Sequence, residues 1–378
     1  MAAPDASAQK TAAVVYNPIK VDIDDLRRAV DAAARDAGWG ESRWYETSEE
    51  DPGEGMTRQA IEDGADVVLA AGGDGTVRAV AQGLWETGIP LGLLPSGTGN
   101  LLARNLNLTL GNLEDSVATA FEGTDREIDL GIAEVRRADG ARDRFVFLVM
   151  AGIGLDAQMI ENTDSELKRK VGWLAYVDAI RKSIKGDNNV RLRFQLDGAP
   201  PRSLRVHTLI MGNCGSLPAN ILLLPEASVD DGLFDIVALR PQGLFGWLQI
   251  WVKIVWENGV LRRSNVGRKL LNNLSREVRA LSYLKGKEII LRPEKPTVFE
   301  LDGDTFGRAT AIKAWVDPLA LTVRIPQSEA DRLPASERTE VGAPAKEQAE
   351  LPPEESAIDP EDALDEAPIG TPVPGTPA

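Results

Sequence analysis

An apolar run that enters a glycine-rich turn and continues into a helical pattern occurs twice, in VVLAAGGDGTVRAVAQGL and in LGLLPSGTGNLLARNL. Strands that alternate with helices across short loops are typical of a parallel sheet covered by helices. Neighbouring parallel strands end at the same edge of the sheet, where ligands bind. The two turns are therefore predicted to face one binding site.

The same alternation begins near the start of the chain. Two further strands are predicted by TAAVVYNP and SRWYET. A helix is predicted between them by DIDDLRRAVDAAARDAG, and a second helix, between SRWYET and the first glycine-rich turn, by MTRQAIEDGA. We interpret residues 11–128 as an α/β domain with a parallel sheet and flanking helices.

From Glu127 the pattern becomes rich in β-strand signals, as in REIDLGIAEV, DRFVFLVMAG and SLRVHTLIMGN. Many short strands separated by turn residues predict an antiparallel β-sandwich or barrel. Two helical stretches, at 165–184 and 243–261, interrupt these strands. We interpret residues 129–304 as this second domain.

Most of the net charge lies in residues 327–378, which hold 13 acidic and 3 basic residues and so contribute −10 of the formal −16. This segment is rich in Pro, Glu and Ala and predicts a disordered acidic tail. The remaining −6 gives the body of the chain no basic footprint. Nucleic-acid binding is therefore not expected.

The chain has one cysteine, Cys214, and one histidine, His207, which excludes an internal disulfide and a Cys/His zinc site. His207 lies in the apolar run RVHTLIMGN, where a core or edge-strand position is the favoured interpretation. No run approaches the ~20 apolar residues of a membrane span. With no secretory signal at the N-terminus, a cytoplasmic location is expected.

The first turn, Gly72-Gly73-Asp74-Gly75-Thr76, has the glycines and the helix start that favour bound phosphate. It is not a P-loop, because no Gly-Lys-Ser/Thr follows, and its glycine spacing does not fit a dinucleotide fingerprint. The carboxylate of Asp74 makes sense if a nucleotide brings Mg²⁺, which takes carboxylate oxygens beside phosphate oxygens. The structural alternative is a tight strand-to-helix turn.

GGDGT followed by PSGTGN resembles the bacterial diacylglycerol kinase family, whose relatives include the sphingosine and ceramide kinases. YNP at residues 16–18, GIGLDA at 152–157, the segment at 211–239 and ELDGD at 300–304 resemble further family motifs in the same order. The resemblance covers residues 11–326 and implies that residues 305–326 return to the α/β domain. It implies transfer of the ATP γ-phosphoryl group to a lipid hydroxyl, with diacylglycerol giving phosphatidic acid.

The resemblance also implies roles for individual residues. Asp74 would serve the catalytic Mg²⁺, and Asp304 would act as the general base. A structural Mg²⁺ site would comprise Ser228, Asp231 and the carbonyl of Leu233, although without the family these residues predict a polar hairpin turn. The nucleotide would contact Asn17, Pro18, Thr47, Gly72, Gly73, Asp74, Gly75, Thr76, Val77, Arg78 and Thr98.

The chain departs from the family pattern at three places. Asp304 stands where the family usually has glutamate, and Leu101 stands where many relatives have aspartate. Asp129 is the carboxylate available to help the metal network. NPIKV lacks a glycine that often follows the first turn, and Lys20 is a candidate phosphate contact in its place.

A lipid kinase must reach a bilayer, and peripheral contact at the inner membrane face is expected. Three tryptophans, Trp247, Trp251 and Trp256, precede a cluster of cations in 262–269, a pattern that suits a water–lipid interface. A helix that packs its aromatic face on the sandwich is the equal alternative. Exposed sandwich edges are compatible with a homodimer.

Two other functions stay open. NAD kinases share GGDGT and a β-rich second domain but lack a following PSGTGN. A nucleotide-responsive, membrane-associated binding protein without catalysis is the third candidate, supported by Leu101 and Asp304. GIGLDA also fits a dinucleotide pattern, but it follows the change to β-rich sequence and precedes a polar segment, which disfavours that interpretation.

Overall fold

The computed structural model describes residues 9–154, 189–217, 221–224, 226–241 and 281–330. The chain divides into two compact units. The first contains the described residues up to Leu130, with Val229–Asp231 and those from Asp317 onwards. The second contains the described residues of Gly131–Ser228 and Gly232–Val316.

The first unit has a parallel sheet with strand order β2-β1-β3-β4. Its strands are β1 (Ala12–Tyr16), β2 (Arg43–Glu46), β3 (Val67–Gly72) and β4 (Leu91–Pro95). Its helices are α1 (Ile23–Asp36), α2 (Glu54–Glu62), α3 (Asp74–Leu84), α4 (Leu101–Asn105) and α5 (Leu113–Glu122).

Burial explains this arrangement. Every residue of β1 and β3 is buried, as expected for central parallel strands with both faces covered. On one face, Leu26 and Val30 of α1 and Val117 and Phe121 of α5 join the strand side chains in one apolar core. The parallel α/β domain predicted from the sequence is confirmed.

The second unit is built from two antiparallel sheets. Two long strands, β5 (Thr124–Arg136) and β18 (Ala311–Ile325), contribute part of their length to it. The first sheet adds β6 (Arg142–Phe147), β8 (Val190–Leu196), β9 (Arg202–Val206) and β15 (Glu288–Pro293). The second sheet comprises β7 (Met150–Ile153), β10 (Thr208–Gly212), β13 (Phe234–Leu239), β14 (Leu281–Gly286), β16 (Thr297–Leu301) and β17 (Asp304–Ala309).

One apolar core lies between these sheets. Phe194 and Leu291 from the first sheet and Met211, Phe234 and Phe299 from the second belong to the same buried cluster. This is the packing of a β-sandwich, so the predicted fold of the second domain is confirmed. A short hairpin, β11 (Ser216–Leu217) with β12 (Ile221–Leu222), completes the described strands.

The boundaries of several strands differ from the sequence-based expectation. DRFVFLVMAG is divided into β6 and β7 because Leu148 and Val149 turn their amides toward the carboxylate of Asp302. SLRVHTLIMGN is divided at His207, a buried residue whose Nδ1 lies 3.0 Å from Thr208 Oγ1. Helix α6 (Gln327–Ala330) occupies the start of the segment expected to be a disordered tail.

The two helical stretches at 165–184 and 243–261, the tryptophans within the second, and residues 331–378 lie outside the described residues. GIGLDA is described only as far as Gly154. Of the helices that the structure does describe, none has both the length and the apolar character needed to span a bilayer.

Candidate functional site

The four parallel strands bring the predicted nucleotide residues to one sheet edge. Tyr16, the last residue of β1, pairs with Glu46 of β2 and Ala71 of β3, and Gly72 pairs with Pro95 of β4. The first loop residues continue this ladder: Thr47 N donates to Tyr16 O at 2.9 Å. Their positions therefore form a row along the carboxyl edge.

Asn17 and Ser96 extend the row in the same manner. Asn17 N donates to Ala71 O at 2.9 Å, and Ser96 N donates to Gly72 O at 3.0 Å. The Asn17 side chain accepts the N–H of Ile19 at 3.0 Å, which closes a turn in which Pro18 and Lys20 are exposed. The loops after β1, β2 and β4 are thus fixed by backbone bonds to neighbouring strands.

The first glycine-rich turn passes directly from strand to helix. Gly72 ends β3, Gly73 is the N-cap, and α3 begins at Asp74. A Cβ on Gly72 would lie 2.6 Å from Thr76 Oγ1, so the turn requires glycine there. Amides of the first turn of a helix lack intrahelical acceptors and favour anions.

Three residues of α3 predicted to contact the nucleotide, Thr76, Val77 and Arg78, have buried side chains. Arg78 Nη1 donates to Gln82 Oε1 at 3.2 Å, and Gln82 Nε2 donates to Glu54 Oε2 of α2 at 2.8 Å. Arg78 thus belongs to a polar chain that joins α3 to α2. The predicted contact of Arg78 with a nucleotide stays a prediction.

The second glycine-rich turn is closed by its own side chains. Asn100, at φ +47°, accepts Gly97 N–H at 3.0 Å and donates from Nδ2 to Gly97 O at 2.8 Å. Arg104 Nε donates to Gly99 O at 2.7 Å. Thr98, between these fixed points, is exposed and available to a ligand.

The two turns contact each other, which the sequence did not indicate. A Cβ on Gly97 would lie 2.7 Å from Gly73 Cα. The carboxylate of Asp74 accepts Asn100 N–H at 3.0 Å and Leu101 N–H at 2.6 Å. Leu101, noted for lacking a carboxylate, joins the site through its backbone amide, while its side chain is buried.

Asp129, the expected helper of the metal network, is fully buried in the first unit. Its Oδ1 accepts the N–H of Leu319 at 2.8 Å, and its own N–H donates to Val229 O at 2.7 Å. Leu319 has φ +53°, so the carboxylate supports a residue in a left-handed conformation. A metal role for Asp129 stays a prediction.

In the second unit, ELDGD forms a two-residue hairpin between β16 and β17. Leu301 pairs with Asp304, and Asp302 and Gly303 have φ of +48° and +93°. Positive φ at both central residues is the type that favours Asp-Gly. Asp304, the predicted general base, is the first residue of β17 and is exposed.

Asp302 is one of two buried acidic residues of this motif, together with Glu300. Its oxygens accept the N–H groups of Leu148, Val149 and Met150 at 2.8 to 3.0 Å. Three charge-assisted bonds hold the turn that presents Asp304. Sequence reasoning missed this role, because the amides lie about 150 residues earlier in the chain.

The residues predicted to form a structural Mg²⁺ site lie in the turn before β13. Ser228 and Leu233 are half-buried and Asp231 is exposed, and Gly232 has φ +70°. Within the described ranges, no three His, Cys, Asp or Glu side chains form a group that could hold a metal ion. The metal role of the Ser228–Leu233 turn stays a prediction.

Two tyrosines on the neighbouring strands β1 and β2, Tyr16 and Tyr45, have raised pKa values. Burial and the hydrogen bond from Tyr45 Oη to Asp63 raise the pKa of Tyr45 to about 12. Burial, with the 2.9 Å bond from Tyr16 Oη to Glu46, also raises the pKa of Tyr16. Both phenols therefore stay protonated and act as donors at neutral pH.

Comparison with known proteins identifies the chain's relatives. Residues 11–133 match the family model of the diacylglycerol kinase catalytic domain. A probable lipid kinase YegS-like of Pseudomonas aeruginosa is 32% identical over 231 residues, covering 60% of this chain and 71% of the relative. Diacylglycerol kinase of Mycobacterium tuberculosis is 30% identical over 177 residues, covering 47% and 56%.

A crystal structure of a diacylglycerol kinase from Bacillus anthracis strain Sterne shares the fold, with a TM-score of 0.62 and 21% identity. The likeness covers 86% of this chain and 99% of that one. The chain spans 57% of the length of a Synechocystis relative and 56% of the Mycobacterium one. The sequence similarity to the lipid kinase of Pseudomonas aeruginosa and the matched catalytic domain together place this chain in the diacylglycerol kinase family.

Proposed function

We propose that this protein is an ATP- and Mg²⁺-dependent lipid kinase that phosphorylates diacylglycerol to phosphatidic acid. The observation that carries the proposal is the row of Thr47, Asn17 and the two glycine-rich turns along one sheet edge. This edge belongs to the part of the chain that matches a diacylglycerol kinase catalytic domain.

The first turn is the phosphate-binding element of this proposal. The N-terminus of α3, an 11-residue helix, provides amides and the positive end of a helix dipole. Gly73 and Gly75 let phosphate oxygens approach the backbone without side-chain obstruction. Asn17, Pro18 and Thr98 would contact the nucleotide from the neighbouring loops.

The residues of this edge fit Mg²⁺. The ion usually takes one or two protein carboxylates, with waters and substrate phosphates completing its octahedron. Asp74 is the carboxylate between the two glycine-rich turns, where its oxygens accept the amides of Asn100 and Leu101. Asp74 could thus reach Mg²⁺ directly or through water, and bound Mg²⁺ would neutralise charge on the phosphate oxygens.

The transfer needs an acceptor for the proton of the lipid hydroxyl. The hydroxyl oxygen attacks the γ-phosphorus while the bond from that phosphorus to the β–γ bridging oxygen breaks, and ADP leaves. Asp304, held in a fixed hairpin and exposed, receives the hydroxyl proton. Asp302 keeps that hairpin in place.

The acceptor is proposed from the relatives, since those of Mycobacterium tuberculosis and Staphylococcus aureus are named diacylglycerol kinases. Diacylglycerol lies within a bilayer, so peripheral contact with the membrane is part of the proposal. The tryptophan-rich segment at 243–261 and the cations after it are the candidate contact.

The test is transfer of labelled γ-phosphate from ATP, with Mg²⁺, to detergent-dispersed lipids, resolved by lipid chromatography. Labelled phosphatidic acid is expected with the native chain. Asp304→Asn should lower kcat by about 10²- to 10⁴-fold while ATP binding persists, as for loss of a general base. Asp139→Asn, an exposed carboxylate in another hairpin of the same unit, is the matched control.

Other products would contradict the proposal in distinct ways. Label in NADP, with NAD offered as acceptor, would indicate an NAD kinase. ATP binding without any labelled product would indicate a binding protein without catalysis. Equal activity of Asp304→Asn and the control would exclude Asp304 as the base.

A further inference from the structure

We infer that Asp74 is a positioning residue whose carboxylate fixes the second glycine-rich turn against the first. This role exists in the protein without metal or nucleotide. Only its consequence for ATP rests on the proposed function. It explains why a carboxylate lies among glycines that favour phosphate.

The bonds are those of a helix cap supplied by another element. Asp74 Oδ2 accepts Asn100 N–H at 3.0 Å, and Oδ1 accepts Leu101 N–H at 2.6 Å. These amides precede and begin α4, where backbone donors have no intrahelical acceptor. An ionised acceptor makes such bonds about twice as strong as neutral ones.

The conformation of the second turn shows what the bonds hold. Asn100 has φ +47° and ψ +50°, a left-handed conformation that non-glycine residues seldom adopt and asparagine tolerates better than most. Its side chain is already bound to both backbone groups of Gly97. The carboxylate of Asp74 links the first turn to the Asn100 amide.

Two glycines make the approach possible. A Cβ on Gly99 would overlap Asp74 Oδ2, and a Cβ on Gly97 would lie 2.7 Å from Gly73 Cα. The glycines of PSGTGN therefore have a packing reason that is separate from ligand contact. Thr98, placed between them, is presented by a turn whose ends are both held.

The role is tested by hydrogen–deuterium exchange at single-amide resolution on the full-length protein without Mg²⁺ or nucleotide. In the native chain, the amides of Asn100 and Leu101 should exchange much more slowly than that of exposed Thr98. Asp74→Asn should raise their exchange by about 10- to 100-fold, as for loss of a hydrogen bond to a charged group.

Gly99→Ala provides an independent route to the same result, because it displaces the carboxylate and leaves Asp74 in the chain. The double variant should show no more exchange than the larger single effect, since both changes break one contact. Asp51→Asn is the matched control: Asp51 accepts the amides of Gly53 and Gly55, whose exchange alone should rise. Gly40→Ala, with no atom nearer than 3.5 Å to the new Cβ, controls for the general effect of replacing glycine by alanine.

The outcomes separate this inference from the proposed function. Unchanged exchange at Asn100 and Leu101 in both variants would overturn it, as would fast exchange of these amides in the native chain. If kinase activity is found, Gly99→Ala should raise KM for ATP, and Asp74→Asn should raise it at least as much, because that change also removes a candidate Mg²⁺ ligand. An inactive native chain with the expected exchange pattern would leave the positioning role intact and refute the kinase.

Discussion

At the residue scale, Asp302 and Asp304 of one short hairpin lie in opposite environments. Asp302 is buried and accepts three backbone N–H groups, whereas Asp304 is exposed at the start of β17. An Asp-Gly pair between apolar runs indicates a tight hairpin from sequence alone. The partners of Asp302 could not be predicted, because they depend on which strands meet in the sandwich.

Tyr45 gives a pH dependence that can be measured. Its pKa is raised to about 12 by burial and by the bond to Asp63, so the native state holds the phenolic proton more tightly than the unfolded chain. Stability from this group is present below the ordinary tyrosine pKa of about 10 and is lost as pH rises towards about 12. Tyr45→Phe should thus lower stability by about 1 kcal/mol at neutral pH, and the difference should shrink at high pH.

Urea unfolding of the native chain and Tyr45→Phe at several pH values between about 8 and about 11 measures this difference. Tyr283→Phe removes a hydroxyl that donates to Leu223 O in the second unit and serves as the control. A deficit of Tyr45→Phe that stays constant across this range would show that Tyr45 ionises equally in both states.

At the element scale, the accuracy of the sequence-based prediction follows burial. AAVVY and VVLAAG are continuous apolar runs because both faces of β1 and β3 are covered, and such runs are easily recognised. Helix α5 is absent from the prediction, although Asn112 caps it by accepting Asp115 N–H. The N-terminal signal of this helix is the cap Asn112 with Glu114 and Asp115 in the first turn.

The divided strands show what a local pattern cannot contain. RVHTLI keeps apolar character through His207, yet His207 N donates to Leu239 O and the chain passes from β9 in the first sheet to β10 in the second. β18 extends from Ala311, well before the apolar pattern ALTVRIP at 320–326 that indicates a strand. The position of the candidate site at the sheet edge could be predicted because it depends only on the order of the strands. The bond from Asp74 to the second turn depends on contacts between individual atoms, which the sequence pattern does not contain.

Gly92 of β4 packs closely against α5. A Cβ there would lie 2.9 Å from Ala120 Cβ and would overlap the side chain of Leu69 on β3. Gly92→Ala should therefore cost about 1 to 3 kcal/mol by overpacking, despite the higher strand preference of alanine. Thermal or urea unfolding, followed by a spectroscopic signal from the first unit, measures the loss of stability.

The control for this substitution is Gly40→Ala, where the nearest atom is 3.5 Å from the new Cβ and φ is not positive. Its stability should lie within about 0.5 kcal/mol of the native chain. A Gly92→Ala variant as stable as Gly40→Ala would mean that α5 can shift away from the sheet at no cost.

At the scale of the whole molecule, both the candidate functional residues and the net charge are unevenly distributed along the chain. The row of candidate nucleotide residues lies in the first unit and the candidate base in the second, while much of the negative charge follows both. Residues 331–378 carry 12 acidic and 3 basic residues. A lipid kinase with such a segment would approach an anionic membrane against electrostatic repulsion.

A chain that ends at Ala330 should consequently bind anionic vesicles more strongly than the full chain at low salt. The Debye length is about 30 Å at about 0.01 M ionic strength and about 8 Å at about 0.15 M, so the difference should fade as salt is added. Co-sedimentation with vesicles of phosphatidylglycerol and phosphatidylcholine measures it, and pure phosphatidylcholine should show no difference. A full-length variant with Asn and Gln at the acidic positions of 331–378 separates the effect of charge from the effect of length, and it should bind like the truncated chain. Equal binding of all three proteins to anionic vesicles at low salt would refute repulsion by this segment.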